Sequence, residues 1–236
     1  MKKILMLTLL AALSAAAMAQ RAAGTFSIIP RVGVSLASLS GDAIYAGTAN
    51  ANAIEFKSRY KAGFVGGVDF DYQVASAASV SLGAFFSQQG CRYGNDKAEV
   101  SVGGNTYKYR GFSDASMQLG YLNVPLMANF YVTERLAVKC GVQLGVNLSG
   151  KLKYTETPYS VNENGEVEYE KPIEYKNDVD CKKVEFSIPV GVSYEYENVV
   201  IDARYNIGLS GTTDVVAVKS PKNHVIQFTV GYRFEL

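Results

Sequence analysis

Eight ionisable residues sit one at a time among apolar or aromatic neighbours: Arg31, Asp69, Asp71, Lys139, Glu185, Asp202, Arg204 and Arg233. Asp69/Asp71 and Glu185/Asp202 are the carboxylate pairs from which general acid–base catalysis could be built. Arginines of the same strand parity accompany them, however. The expectation is a network of ion pairs filling an interior, because unpaired charges there would be costly. The single histidine, His224, has the parity of the apolar residues around it. That places it at an outer rim, away from the carboxylates a Ser-His-Asp arrangement requires. Asn162-Glu-Asn-Gly-Glu lacks the ligand spacing of a calcium loop. Gly63, Gly66, Gly67 and Gly83 have no following helix to complete a phosphate loop. No catalytic residue, metal site or cofactor is expected. Of the three cysteines, Cys140 reads as a small buried hydrophobe on an apolar strand face. Cys91 and Cys181 fall where long loops meet strands, and a bridge between them is left open.

The elements that would carry these residues show a period of two, which is a β signal. The longest run is Lys183–Ser210, two arms joined at Glu197-Asn198. Val184, Phe186, Ile188, Val190, Val192, Tyr194 and Tyr196 alternate on the first arm; Val199, Ile201, Ala203, Tyr205, Ile207 and Leu209 on the second. Similar runs predict strands near 25–37, 61–73, 80–90, 117–132, 135–149 and 225–236, eight in all. The connections alternate long and short. Glu99–Val102 with Thr106–Tyr109, and Tyr159–Val161 with Val167–Tyr169, read as hairpins inside the long connections, the second around an Asn164-Gly165 type I′ turn. Pro30, Pro125 and Pro189 fall within strands, where bulges or lost ladder bonds are expected.

Charged residues make up 19% of the chain and the net charge is +1, so nothing suggests a nucleic-acid partner. Met1–Ala19 has the positive start, apolar stretch and small-x-small ending of a cleaved signal peptide. A start-transfer anchor is its alternative reading, and the missing Cys argues against a lipoprotein. Residues 20–236 are then one exported domain. Even strand number with short turns at one end and long loops at the other is the order of an outer-membrane barrel. The expected fold is therefore an all-β, eight-stranded antiparallel up-and-down transmembrane β-barrel, apolar stripes facing lipid and charges inside. A soluble lipocalin-like carrier with the stripes lining a cavity is the alternative.

Tyr121-Leu-Asn-Val-Pro-Leu-Met-Ala, Phe186-Ser-Ile-Pro-Val-Gly-Val-Ser-Tyr-Glu-Tyr, Ile201-Asp-Ala-Arg-Tyr-Asn-Ile-Gly-Leu and the ending Phe228-Thr-Val-Gly-Tyr-Arg-Phe resemble the PorT-like outer-membrane β-barrel family of Bacteroidetes-type bacteria. The resemblance spans roughly Phe26 to Leu236, and it implies an eight-stranded barrel with Pro125 at a recurrent family position. Ending on Phe234-Glu-Leu departs from the family's terminal aromatic. Its name-giving member is linked to secretion; most relatives have no assigned role.

The reading that follows is a non-enzymatic barrel of the cell outer membrane with a filled lumen. Its outside loops, Cys91–Ser116 and Gly150–Lys182, would serve binding or assembly. Expected partners are outer-membrane lipid, the barrel-assembly machinery, and secretion-system proteins or an extracellular ligand. An accessory of a secretion machine is the alternative function. A lipid-modifying enzyme is a more distant one.

Overall fold

The computed structural model describes residues 22–40, 44–46, 54–94, 96–103, 106–162, 164–213 and 221–236. The leader expected over 1–19 lies outside them, as do parts of the loops expected at Ser38–Arg59 and Gly211–Asn223. In chain order the strands are β1 (Phe26–Ser40), β2 (Ile44–Ala46), β3 (Ile54–Phe56), β4 (Ser58–Arg59), β5 (Lys61–Ala75), β6 (Ala78–Tyr93), β7 (Asp96–Gly103), β8 (Thr106–Tyr131), β9 (Leu136–Val161), β10 (Val167–Tyr169), β11 (Ile173–Asp178), β12 (Val184–Tyr196), β13 (Val199–Gly211), β14 (Lys222–Tyr232) and β15 (Phe234–Glu235).

Each long alternating run has become a barrel strand. β1, β5, β6, β8, β9, β12, β13 and β14 pair in succession, and β14 returns to β1. The closed ring is an eight-stranded antiparallel up-and-down barrel. Closure matters because it leaves no unpaired edge in the hydrocarbon, where backbone polar groups have no water to bond.

At one end the connections are tight. Ser76 and Ala77 join β5 to β6. Glu197 (φ 45°) and Asn198 (φ 67°) join β12 to β13, both left-handed as a type I′ hairpin requires. Between β8 and β9, Thr133 Oγ1 accepts the backbone N–H groups of Arg135 and Leu136 at 3.3 and 3.0 Å. The long connections all lie at the other end, which in bacterial barrels is the extracellular one.

Two expectations need correction. Strands near 117–132 and 135–149 were expected, but β8 and β9 run for 26 residues each. The hairpins read at Glu99–Val102 with Thr106–Tyr109 and at Tyr159–Val161 with Val167–Tyr169 are present as the outer ends of these strands, and much of the remaining length that reads as loop over Cys91–Ser116 and Gly150–Lys182 is strand as well. The Asn164-Gly165 turn is also not type I′, since only Gly165 has a positive φ (82°). Instead Asn162 Oδ1 accepts the N–H groups of Asn164 and Glu166 at 3.0 and 2.9 Å, an Asx-type local bond that closes a wider loop.

The prolines produce gaps rather than bulges. Pairing lapses between Leu82↔Leu126 and Phe85↔Asn123 at Pro125. It lapses between Ser187↔Gln143 and Val190↔Cys140 at Pro189. At Pro30 it lapses between Ile28↔Phe234 and Arg31↔Gly231. Each proline keeps its register on its other neighbour: Pro125↔Gln143, Pro189↔Asn206 and Pro30↔Val68. One missing N–H thus costs one ladder locally and leaves the ring closed.

The two faces are sorted as a lipid solvent demands. Val32, Val142, Phe186 and Ile201 point outward at 55–61% exposure, while Asp69 and Asp202 are 1% exposed. So large an apolar surface is far beyond what a soluble monomer presents. Cys140, expected as a buried hydrophobe, is exposed on this outward face.

Candidate functional site

Inward parity carries the charged residues into the barrel, where they form two layers. In the central layer Asp202 meets three cations: Arg31 at 2.8 Å, Lys139 at 2.7 Å and Arg204 at 2.7 Å. Asp69 pairs with Arg204 at 2.9 Å and with Arg31. Both guanidinium groups also lie over the Phe85 ring, at 5.2 and 5.7 Å from its centroid, a favourable cation–π placement. Toward the short-turn end, Arg233 bridges Asp71 at 2.8 Å and Glu195 at 3.1 Å. Asn129 and Ser79 satisfy the other Asp71 oxygen at 3.0 and 2.8 Å. Lys139 comes from β9, Asp202 and Arg204 from β13, Arg31 from β1 and Asp69 from β5. The layer therefore exists only once the ring has closed.

Glu185 is buried too, but its bond is from the Tyr121 hydroxyl, not from a cation. Gln89, Asn123, Gln143, Asn206 and Asn223 share its level around a cavity of about 10 Å³. That is room for roughly one water molecule. An eight-stranded barrel has only enough interior for its own side chains, and here they are polar and interlocked.

Above this level the lumen changes character. Leu39, Cys91, Tyr93, Ala115, Met117, Leu119 and Tyr121 form an apolar cluster at the mouth, with Val179 and Cys181 packed against it. The return segment of the longest connection lies across it. Val179 N–H donates to the Gly150 carbonyl at 3.0 Å, and Lys182 N–H to that of Thr212 at 2.9 Å. Thr213 Oγ1 donates to the Asp180 carbonyl at 2.9 Å. Cys91 lies within this cluster and Cys181 packs against it, both as free thiols, so the bridge left open by the sequence is not formed. Burial, then the charges of Glu185 and Asp180, push the Cys181 thiol up.

Beyond the mouth the outer arms of β8 and β9 continue as a free-standing sheet, paired as far as Tyr107↔Val161. β7 borders β8; β10 and β11 border β9. Tyr154 stacks on Tyr175 at 5.0 Å and tilts against Phe112 at 6.0 Å. Tyr159 and Tyr169 pair at 5.5 Å. Phe112 and Tyr154 are half-buried against the mouth cluster, so these aromatic pairs tie the outer sheet to the mouth. The outward apolar residues of β9 end at Leu148 and those of β8 at Leu122, so about half of each 26-residue strand stands clear of the bilayer.

His224 lies at the rim on the outward side. Its Nε2 is 2.8 Å from Ser40 Oγ and its Nδ1 is 3.3 Å from the Tyr205 hydroxyl. A phenol occupies the place where an acyl-transfer triad has a carboxylate. Among the described residues no group of three His, Cys, Asp or Glu could hold a metal. The sequence reasoning passed over Glu195, Phe85, Tyr121 and Asn129. The parity that singles out Asp202 would have found Glu195; the other three are uncharged, and nothing local marks them.

A family model described as outer membrane protein β-barrel domain matches residues 18–214. No curated protein matches the chain. Three solved structures are similar to it. Ail, the attachment invasion locus protein of Yersinia pestis, in complex with the heparin analogue sucrose octasulfate, is 16% identical; the match covers 89% of this chain and 99% of Ail, with a TM-score of 0.43. Neisserial surface protein A is 14% identical over 89% of this chain and 97% of that one, TM-score 0.44. OprG from Pseudomonas aeruginosa is 12% identical over 91% and 98%, TM-score 0.39.

Proposed function

Because the chain belongs to the outer membrane protein β-barrel domain family, and its place is the cell outer membrane, we propose that it works there without catalysis, presenting a sheet above the membrane that captures a protein partner. The observation that carries this reading is the continuation of β8 and β9 through the mouth into a sheet bordered by β10 and β11. The barrel below is filled, so the projecting sheet is the part left to meet the surroundings. β10 and β11 end the sheet on one side, with Val167, Tyr169 and Ile173 exposed at 48%, 63% and 46%. An exposed edge of this kind pairs readily with an extended segment of another chain, backbone bonds supplying affinity and alternate side chains specificity.

The PorT-like resemblance supports a second use of the same edge, docking to a secretion assembly in the outer membrane. One experiment addresses both. A photo-crosslinking residue at Ile173 is activated in intact cells, beside a control with the crosslinker at Val142 on the lipid face. An adduct of fixed mass at Ile173, lost in a Val167→Pro/Tyr169→Pro variant that removes edge N–H groups and keeps the crosslinker, supports strand addition. If its partner is a stoichiometric membrane protein and secreted cargo falls on deletion, the role is in export. Identical adducts with and without the two proline substitutions sink the proposal.

A further inference from the structure

Where the outward face of the barrel turns from apolar to polar, it holds a groove of about 340 Å³ spanning β6, β8 and β9. Its lower wall is Phe86, the last of the outward apolar residues on β6. Its upper wall is Gln88, Gln118 and Ser149, with Lys61 reaching in from one side and Lys151 from the other. The backbone makes the hollow. At the bulge between Gly120 and Tyr121 the strands β8 and β9 shift register. A Cβ on Gly120 would approach Ser149 Oγ to 2.7 Å and Phe86 to 3.8 Å, so a side chain there would fill the space.

The charge is one-sided. The lining includes two lysines and no carboxylate. Arg92 and Lys153 add their charges near Lys61. Asp178 lies 3.6 Å from the Lys151 ammonium but is 89% exposed; so exposed a pair is weak. The groove sits on the side of the barrel that faces lipid, at the level where Leu122, Leu144 and Phe86 give way to Gln118, Ser149 and Gln88. Hydrocarbon ends and headgroups begin at that level.

We infer that this groove binds the phosphate-bearing headgroup of a lipid in the outer leaflet. Lys61 and Lys151 would clamp the phosphate, and Gln88, Gln118 and Ser149 would donate to its oxygens. Phe86 below would meet the start of the acyl chains. Basic pockets at headgroup depth on membrane proteins recognise anionic lipids by this combination of charge and donors. Position excludes the lumen as the source of the ligand, since the groove opens outward. It is independent of the sheet-edge reading above.

The test is native mass spectrometry of the whole protein released in mild detergent, titrated with phosphatidic acid and separately with phosphatidylcholine of the same chains. The expected result is at least a tenfold preference for phosphatidic acid, lost in the Lys61→Gln/Lys151→Gln double variant. Gly120→Leu, which fills the groove without touching charge, should reduce binding to the same extent. Heat-modifiable migration on gels identifies folded barrel for each variant before titration. Equal retention of the two lipids, or a double variant that keeps the preference, overturns the assignment. Displacement of phosphatidic acid by millimolar inorganic phosphate would also overturn it, because the site would then be for a soluble anion.

Discussion

The middle of the lumen and its mouth are lined by inward-facing residues of one ring, yet one is ionic, on β1, β5, β9 and β13, and the other apolar, on β1, β6 and β8. At Asp69, Asp202, Arg31, Arg204 and Lys139 every side chain is boxed in by the ring and must be satisfied from across it. At Leu39, Met117 and Leu119 the ring is open on one side, and Val179 and Cys181 cover it from above. A charge network suits a closed cross-section because its partners are fixed in distance. A hydrophobic cluster suits a mouth because non-directional burial can seal against a segment arriving from a long connection.

The largest test of this contrast is Asp202→Ala. It leaves three cations with Asp69 as the central carboxylate, and removing one partner of a buried network typically costs about 3–5 kcal/mol. Urea unfolding in lipid vesicles should show it. Leu119→Ala at the mouth should cost about 3 kcal/mol, as truncating a buried leucine does. If the leucine change proved the more damaging, the charges would be filler and the mouth the keystone, reversing the comparison.

Cys181 sharpens the account of the mouth itself. The thiolate is the reactive form, and the raised pKa leaves less of it at pH 8 than in a free thiol. Its alkylation in intact vesicles should be several-fold slower than that of glutathione and should still be rising at pH 9. Cys91, wholly buried in the mouth cluster, should stay unmodified until the protein unfolds. A Cys181 as reactive as free thiol at pH 7 would mean that the return segment does not lie across the mouth.

Arg110→Ala probes the sheet beyond both regions. Arg110 Nε is 3.0 Å from Glu156; the arginine side chain is 50% exposed but the carboxylate only 9%, so the loss should exceed the roughly 1 kcal/mol of an exposed pair and fall short of the roughly 3–5 kcal/mol of a fully buried network. The unfolding midpoint should drop less than in Asp202→Ala. The last expectation is no effect at all: neither the wild type nor Leu119→Ala should conduct ions steadily in planar bilayers, because the layers at Asp202 and at Asp71 each fill the section. A stable channel in the mouth variant would place the seal at the mouth alone.

Much of the molecule is legible in the chain. Alternation from Val184 to Leu209 is enough to specify strand, face and turn, because a one-residue slip would put Asp202 and Arg204 into lipid. The inward placement of the eight charged residues follows from the same parity. The extent of β8 and β9 was not legible. Residues such as Lys151, Lys153 and Thr155 replace the apolar stripe on one face, while Leu152 and Tyr154 on the other pack against the mouth cluster, so the lipid-facing stripe that marks the strands lower down ends with the lipid.

By itself, then, the sequence determines the number of barrel strands and which residues share a face, since both depend on alternation along one strand at a time, while the membrane as solvent rests on the even strand number and the order of long and short connections. Which charges meet is a different matter. Asp202 faces Lys139 and Arg31 only because β13, β9 and β1 converge across a ring some way apart in the chain. Glu185 finds the Tyr121 hydroxyl instead of a cation for the same reason. The seal at the mouth and the groove at Gly120 likewise depend on a return segment and a register shift, which no periodicity encodes. Those are properties of closure, and closure exists only in three dimensions.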